Sequence, residues 1–206
     1  MARTDIIFRK CDLRPILENA RLAAQQSIEK LQARLTEMTP QLGTQAGGIA
    51  FERWFYDLAV FFELEARPGY RADGRQIDGA VTIEGTTFLT ETKFTAEPIG
   101  SPDIDVFMAK IESKADNTMG LLVSLSGFTS GAIAAASKQR TPMLLLDHTH
   151  LFSLVLRGIM TLSKMVSRIK RHASQTGASY LAVADFFNKA MWFSTATVAT
   201  RSACKD

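Results

Sequence analysis

Apolar residues at helical spacing dominate the first part of the chain and predict a long amphipathic helix from Arg14 to Met38. Leu17, Ala24 and Leu31 recur in this segment at intervals of seven residues. This stripe fits either a helix packed on its own domain or a short coiled-coil seam between two protomers. We favour the first interpretation because an arginine interrupts the heptad pattern.

A second predicted helix covers Ile49 to Leu64, after the segment TPQLGTQAGG, whose proline and glycines break the first helix. Its apolar face contains Phe51, Trp54, Phe55, Leu58, Phe61 and Phe62. The following segment, RPGYRADGR, has the composition of a loop.

The middle of the chain predicts a hairpin of two strands, Gln76 to Ile83 and Thr86 to Phe94, joined by a turn at Glu84-Gly85. A helix with Asp103 as its N-cap follows. The continuous apolar runs GLLVSLS and PMLLLD flank the helical segment SGAIAAASKQR, which predicts a βαβ unit with parallel strands. The remainder, Leu151 to Asp206, predicts one or two helices and a tail. The fold class is therefore α/β, a mixed sheet flanked by helices.

Length and composition indicate the domain organisation and the cellular location of the protein. A chain of 206 residues suits one core domain at 43–158, with an N-terminal helical extension at 1–42 and a C-terminal helical segment at 159–206. The net charge of +3 is too small to indicate a nucleic-acid partner, so local patches must supply one. Two distant cysteines, a charged N-terminal segment and the lack of a long apolar run predict a soluble, cytoplasmic protein with no membrane association.

The strand segment FLTETKF carries charges at Glu91 and Lys93, which share one face of the strand because side chains alternate. A two-residue turn sets Asp78 directly opposite Glu91 and Gln76 opposite Lys93. Opposed residues have Cβ atoms about 4.5–5.5 Å apart, so two carboxylates and an ammonium converge.

Two carboxylates this close repel each other unless a cation lies between them. Oxygen ligands without histidine or cysteine suit Mg²⁺ or Mn²⁺, and a nearby lysine can orient a water molecule, as in metal-assisted hydrolysis of a phosphodiester. The alternative is a cross-strand salt bridge at an exposed sheet edge. Glu52, beside the apolar face of its helix, is either a further member of this site or a surface carboxylate near a helix N-terminus.

The order of the segments GIAFERWFYDL, GRQIDGAVTIEG, FLTETKFT and GLLVSLSGFTSGAIAAA…PMLLLD resembles the PD-(D/E)XK nuclease superfamily, in particular its Mrr-like restriction-endonuclease branch. The resemblance covers Gly47 to Leu156. It implies a restriction-endonuclease-like mixed sheet between helices and Mg²⁺-dependent cleavage of DNA that leaves 5′-phosphate ends, with Mn²⁺ as a substitute cation.

The same resemblance assigns roles to single residues. Glu52 matches the first-helix glutamate that helps to hold the metal or its water, and Asp78 and Glu91 match the two metal-binding acids. Lys93 matches the lysine that positions the water or stabilises the transition state, and Thr92 offers its backbone carbonyl to the metal. The residue before Asp78 is isoleucine instead of the proline in the family's name, a common departure in the superfamily.

Basic residues on two predicted helices are the expected DNA contacts, with solvated helix faces as the alternative. They are Lys110, Lys114, Arg168, Lys170 and Arg171. A metal site at the H-x-H pair of His148 and His150 is the less favoured interpretation, because no third ligand is near in sequence.

The sequence thus predicts a metal-dependent endodeoxyribonuclease acting on double-stranded DNA, and the resemblance implies restriction or defence against foreign DNA. The alternative is a non-catalytic nucleic-acid-binding or assembly subunit that retains the nuclease fold. A homodimer and a partner protein that supplies target recognition are both compatible with the sequence.

Overall fold

The computed structural model describes residues 27–72, 75–77, 79–115, 117–137 and 143–187. Residues 27–38 of the predicted first helix are helical (α1), and the rest of that helix lies outside the described residues. Leu31, Leu35 and Met38 are buried in the domain's own core, and the indole of Trp54 donates a hydrogen bond of 2.8 Å to the carbonyl of Leu31. The described part of α1 therefore packs on its own domain.

Helix α2, Gln45–Phe61, begins and ends a few residues earlier than predicted. Thr44 is its N-cap, since its hydroxyl accepts a hydrogen bond of 3.0 Å from the amide of Gly47. A Cβ atom at Gly47 would overlap the carbonyl of Gln41 and would lie 2.9 Å from the ring of Phe94. The first turn of α2 is therefore packed tightly against the segment that follows the charged strand.

Within the described residues, seven short strands form two sheets. They are β1 (Glu65–Arg67), β2 (Tyr70–Ala72), β3 (Arg75–Ile77), β4 (Gly79–Ile83), β5 (Thr86–Lys93), β6 (Met119–Ser124) and β7 (Met143–Asp147). Five of them form the main sheet in the order β1-β4-β5-β6-β7, whereas β2 and β3 pair separately. The pairs among β1, β4 and β5 are antiparallel and the pairs among β5, β6 and β7 are parallel, so the predicted mixed sheet is confirmed.

Two predictions for the region before β4 are wrong. The segment predicted as a loop, residues 67–75, contains β2 and the last residue of β1, and the predicted strand from Gln76 to Ile83 belongs to two strands, β3 and β4. Gln76 pairs with Arg71 in the small sheet and not with Lys93. Strands of three residues are too short to show an alternating pattern, so the sequence carried no signal for this division.

The predicted turn between β4 and β5 is confirmed. Ile83 pairs with Thr86, and the turn residues Glu84 and Gly85 have φ angles of 48° and 72°. Positive φ at both central residues is the requirement of a two-residue type I′ turn. The described ladder between these strands ends with Gly79 opposite Thr90, one residue short of Asp78, which lies outside the described residues.

Helices cover both faces of the main sheet. Helices α3 (Ser101–Glu112) and α4 (Ser130–Ala136) form one apolar core with Leu89, Leu122 and Leu145. Helices α1, α2 and α5 (Leu162–Thr176) form the other core with the opposite sheet face. The N-cap of α3 is Gly100, so the prediction of Asp103 as the cap is wrong, and Asp103 lies in the first helical turn.

The C-terminal part of the described chain holds a π-helix (His150–Leu156), α5 and a 3₁₀ helix (Val183–Phe187). Within the ranges that the structure describes, no helix is long and apolar enough to cross a membrane.

Candidate active site

The carboxyl ends of the three parallel strands lie side by side. Lys93 at the end of β5 pairs in register with Ser124 at the end of β6, and Ser124 pairs with Asp147 at the end of β7. In α/β sheets, ligands bind outside the carboxyl ends of the parallel strands. The predicted catalytic lysine therefore lies at the edge where this architecture places binding sites.

The two faces of β5 divide as the alternating pattern predicts. Phe88 and Phe94 are buried in the core that contains α2, and Leu89 is buried in the core that contains α3. Glu91 and Lys93 continue the face of Leu89, with 18% and 27% of their side chains exposed. The strand thus carries its charges where the α3 side of the sheet begins to open to solvent.

Four charged side chains form a cluster between β5 and α3, here called the charge quartet: Glu91, Lys93, Asp103 and Lys110. The ammonium of Lys93 lies 3.0 Å from Oε1 of Glu91 and 3.4 Å from Oδ1 of Asp103. The ammonium of Lys110 lies 2.6 Å from Oε2 of Glu91. Each carboxylate oxygen of Glu91 therefore faces its own ammonium group.

Sequence reasoning assigned Asp103 to a helix cap and Lys110 to the DNA backbone, and it did not predict the quartet. The two residues are seven positions apart on α3, hence two turns apart on one face of the helix. Their opposite charges at this spacing were the only sign in the sequence that both contact charged partners. The sequence does not show that this face of α3 packs on β5.

The quartet keeps the Glu91 carboxylate ionised. Burial alone would raise the pKa of Glu91, but hydrogen bonds from Lys110 and Lys93, together with their charges, outweigh burial and hold the pKa below its ordinary value. Burial alone would lower the pKa of Lys93, but its hydrogen bond and attraction to Glu91, with a further contribution from Asp103, raise the pKa. The site therefore presents a carboxylate and an ammonium, both charged at neutral pH.

The remaining predicted site residues are only partly placed. Thr92 is half-buried between Glu91 and Lys93 and pairs with Val123. Glu52 is half-buried on α2, which packs against the sheet face opposite to the quartet, and no hydrogen bond or ion pair joins it to the quartet among the described side chains.

The donor chemistry fits a divalent cation as far as the described residues extend. Glu91 offers an ionised carboxylate, the oxygen ligand that Mg²⁺ and Mn²⁺ prefer, beside a lysine suited to orient water. In the described part of the chain, no three residues of the types His, Cys, Asp or Glu come close enough to hold a metal ion. Asp78 lies outside the described residues, so the predicted set of metal ligands stays a prediction.

The basic residues of α5 lie at the other end of β5. The ammonium of Lys170 donates a hydrogen bond of 2.5 Å to the hydroxyl of Thr86, the first residue of that strand. Lys93 is seven positions after Thr86, which corresponds to about 23 Å along the strand. Arg168 donates a hydrogen bond of 2.7 Å to the carbonyl of Phe186. Arg168 and Arg171 line a cavity of about 520 Å³ near the hairpin turn, so they do not adjoin the quartet.

A separate buried network surrounds Asp147. Its Oδ1 contacts Nδ1 of His150 at 2.8 Å and accepts a hydrogen bond of 2.9 Å from the amide of Thr149, and its Oδ2 accepts one of 2.6 Å from the hydroxyl of Tyr180. His150 is fully buried, and its Nε2 donates to the carbonyl of Leu181 at 2.8 Å. Both ring nitrogens of His150 are thus engaged within the protein, which does not suit a metal ligand.

Comparison with protein-family models gives a match to the restriction endonuclease family of the Mrr catalytic type over residues 47–155, more than half of the chain. The chain belongs to this family. The predicted resemblance to the Mrr-like branch of the PD-(D/E)XK nucleases is thereby confirmed, as is the restriction-endonuclease-like fold. Comparisons with curated proteins and with solved structures give no match.

The matched range contains α3, α4, nearly all of α2 and every strand of the main sheet, whereas α1 and α5 lie outside it. Family membership supports nuclease activity in general, and PD-(D/E)XK nucleases generally use a divalent metal ion.

Proposed function

We propose that this Mrr-type domain is a metal-dependent endodeoxyribonuclease that hydrolyses phosphodiester bonds of double-stranded DNA. The observation that carries the proposal is the ion pair of 3.0 Å between Glu91 and Lys93 at the carboxyl end of β5. These two residues are the proposed acid and lysine of the family motif, and the fold holds them charged and adjacent.

Glu91 and Asp78 are the proposed main ligands of Mg²⁺ or Mn²⁺, with Glu52 and the carbonyl of Thr92 completing the set. The register supports Asp78, because extending the ladder by one pair beyond Gly79 and Thr90 sets it opposite Glu91. A divalent ion bound there would neutralise charge on the phosphate and activate a water molecule.

Lys93 is the proposed hydrogen-bond donor of the site. Its ammonium donates a hydrogen bond to the attacking water or to a phosphate oxygen, where negative charge develops in the transition state. The water oxygen bonds to phosphorus as the bond from phosphorus to the 3′-oxygen breaks. The products are a 5′-phosphate and a 3′-hydroxyl, and the proton of the water ends on the leaving oxygen.

The proposed DNA contacts fall into two groups. Lys110 belongs to the quartet and Lys114 lies four residues after it. The other three, Arg168, Lys170 and Arg171, are near the hairpin turn, about 23 Å away along the strand. A separation of this size is about two-thirds of a turn of B-form DNA, so one duplex could span both. The proposal further includes a role in restriction or defence against foreign DNA. It also includes a homodimer and a partner protein that recognises the target DNA.

A non-catalytic nucleic-acid-binding or assembly subunit is the second candidate, and one observation favours it. Every member of the charge quartet already has an oppositely charged partner at 2.6–3.4 Å, so the cluster is electrically neutral by itself. Such a network can simply hold α3 on the sheet, with no need for a metal ion.

Cleavage of supercoiled plasmid in Mg²⁺ or Mn²⁺ separates the two candidates. We expect nicking or cutting by the wild-type protein and a loss of at least about 100-fold in Lys93→Met, Glu91→Gln and Asp78→Asn proteins. Glu112→Gln is the matched control, because Glu112 belongs to the second E-x-K triplet of the chain, at the end of α3. It should cut like the wild type.

Each variant is also checked for folding by its thermal midpoint, so that loss of activity is not loss of structure. Equal cleavage by all three site variants would contradict the proposal. An inactive wild type that binds no Mn²⁺ would favour the non-catalytic candidate.

A further inference from the structure

Lys110 makes the shortest contact in the charge quartet. Its ammonium lies 2.6 Å from Oε2 of Glu91, compared with 3.0 Å from Lys93 to Oε1. Glu91 is the proposed metal ligand, and a divalent ion bound at Oε2 would lie close to the ammonium of Lys110. Lys110 and the cation therefore compete for the negative charge of this carboxylate and for the space beside Oε2.

The charges of the quartet lead to the same competition. Two carboxylates and two ammonium groups sum to zero, so a divalent cation at Glu91 would meet two ammonium groups held within 3.0 Å of its ligand oxygens. Like charges at such distances repel strongly in a partly buried site. At least one ammonium group has to move away before the cation can bind well.

The two lysines differ in what holds them. Lys93 also has Asp103 at 3.4 Å, and only 27% of its side chain is exposed. Lys110 lies in the last turn of α3 with 39% of its side chain exposed, and among the described residues Glu91 is the carboxylate at ion-pair distance from it. Lys110 can therefore turn towards solvent at a lower cost than Lys93.

We propose that Lys110 is the internal competitor of the divalent cation: it holds Oε2 of Glu91 and must leave this oxygen when the cation binds. The inference rests on the proposed nuclease function and deepens it, because it makes metal binding at the site a replacement of one cation by another. Lys93 keeps its place throughout, held by Glu91 and Asp103.

The first test measures the affinity for Mn²⁺ of the full chain by isothermal titration at fixed ionic strength. Lys110→Met removes the competitor, and we expect it to bind Mn²⁺ about fivefold more tightly than the wild type. Lys114→Met is the matched control, since it removes the same charge four residues later, beyond the end of α3. It should leave the affinity within about twofold of the wild type, because Lys114 is exposed and salt screens interactions between exposed charges.

The second test follows the lysine itself. Acetylation of surface amines, read by mass spectrometry, should increase at Lys110 of the wild type on saturation with Mn²⁺ and stay constant at Lys93. Lys114 is the internal reference in the same digest. This readout depends on the position of the amine and not on cleavage.

The outcomes separate the inference from the function on which it rests. Suppose that the wild type binds Mn²⁺ and cuts DNA. If Lys110→Met then binds Mn²⁺ no more tightly than the wild type, or gains no more affinity than Lys114→Met does, the competition is refuted and the nuclease function stands. Unchanged acetylation of Lys110 at saturating Mn²⁺ refutes it equally. If neither the wild type nor Lys110→Met binds Mn²⁺ or cuts DNA, both proposals fail together.

Discussion

The buried carboxylate of Asp147 offers a sharp test of how this fold is held together. Asp147 ends β7, only 10% of its side chain is exposed, and it accepts hydrogen bonds from Thr149 and from the hydroxyl of Tyr180 beside its contact with His150. We expect Asp147→Ala to lower the free energy of unfolding strongly, because the donors around it lose their common acceptor.

The magnitude follows from the partners left behind. Removing one member of a buried, hydrogen-bonded ion pair costs about 3–5 kcal/mol. His150 would keep a partner for Nδ1, since the backbone amide of residue 147 lies 3.2 Å away, and Tyr180 is half-exposed and can turn to water. The lower end, about 3 kcal/mol, is therefore expected. In a chain of this length that corresponds to a fall of roughly 6–12 °C in the thermal midpoint.

Urea unfolding at pH 7 measures this loss of stability. An unchanged m-value would show that the substitution does not alter the surface exposed between the folded and unfolded states. Asp147→Asn keeps the shape and one acceptor, so about half of the loss is expected. The matched control is Asp57→Ala, which removes a carboxylate whose 2.7 Å ion pair with Arg34 is about half exposed. That change should cost less than about 1 kcal/mol.

The pH dependence gives a second check with a defined sign. Burial alone would raise the pKa of Asp147, but the hydrogen bond and charge of His150, with the hydroxyls of Thr149 and Tyr180, hold it well below the ordinary 3.8. The stabilisation is therefore complete above the unfolded pKa and is lost as the pH falls through the folded pKa. The difference in stability between the wild type and Asp147→Asn should therefore shrink as the pH falls below about 4.

A loss below about 1 kcal/mol for Asp147→Ala would refute the reasoning, since it would mean that the donors find other acceptors at no cost. A difference from Asp147→Asn that persists unchanged at pH 3 would refute the electrostatic part alone.

Two further substitutions test close packing near the proposed site. A Cβ atom at Gly79 would overlap the hydroxyl of Tyr56, so Gly79→Ala should lower the free energy of unfolding in urea by about 1–3 kcal/mol. Adding Tyr56→Phe should restore part of the lost stability, and an absence of such rescue would contradict this contact. Trp54→Phe leaves the buried carbonyl of Leu31 without its indole donor and should lower the free energy of unfolding by about 2 kcal/mol. An unfolding midpoint equal to that of the wild type would show that this hydrogen bond does not stabilise α1.

The features of the fold that the sequence predicted are those with a local cause. The turn at Glu84-Gly85 was predictable because glycine adopts positive φ without strain, and that turn fixed the register of β4 and β5. The two faces of β5 followed from side-chain alternation. The parallel strands followed from continuous apolar runs, which lie in sheets buried on both faces.

Features that depend on contacts between distant segments could not be predicted in this way. Strands β1 and β2 have three residues each, and their pairing, not their composition, makes them strands. Asp103 and Lys110 looked like a cap and a surface cation because nothing local to α3 reveals which strand it covers. Their roles become visible only when α3 is placed beside Glu91 and Lys93.

The order of charges along the chain agrees with the topology of this unit. Glu91, Lys93, Asp103 and Lys110 alternate in sign, and the pairs are nested, with the inner pair of Lys93 and Asp103 enclosed by the outer pair of Glu91 and Lys110. In a βαβ unit the helix runs back along the strand that precedes it, so the end of the strand meets the start of the helix. Nested pairing is the arrangement that this reversal requires.

This nesting explains how a strand can leave the core at Glu91 with charges on alternate positions, because α3 supplies a counter-charge for each. It also constrains the proposed chemistry. In the proposed nuclease, the neutral quartet would accept a divalent ion well only if a cation is released, and Lys110, the more exposed of the two lysines, is the one that can leave without disturbing Lys93. If the site binds a metal ion as proposed, the contact that stabilises the folded site and the step that prepares it for catalysis involve the same side chain.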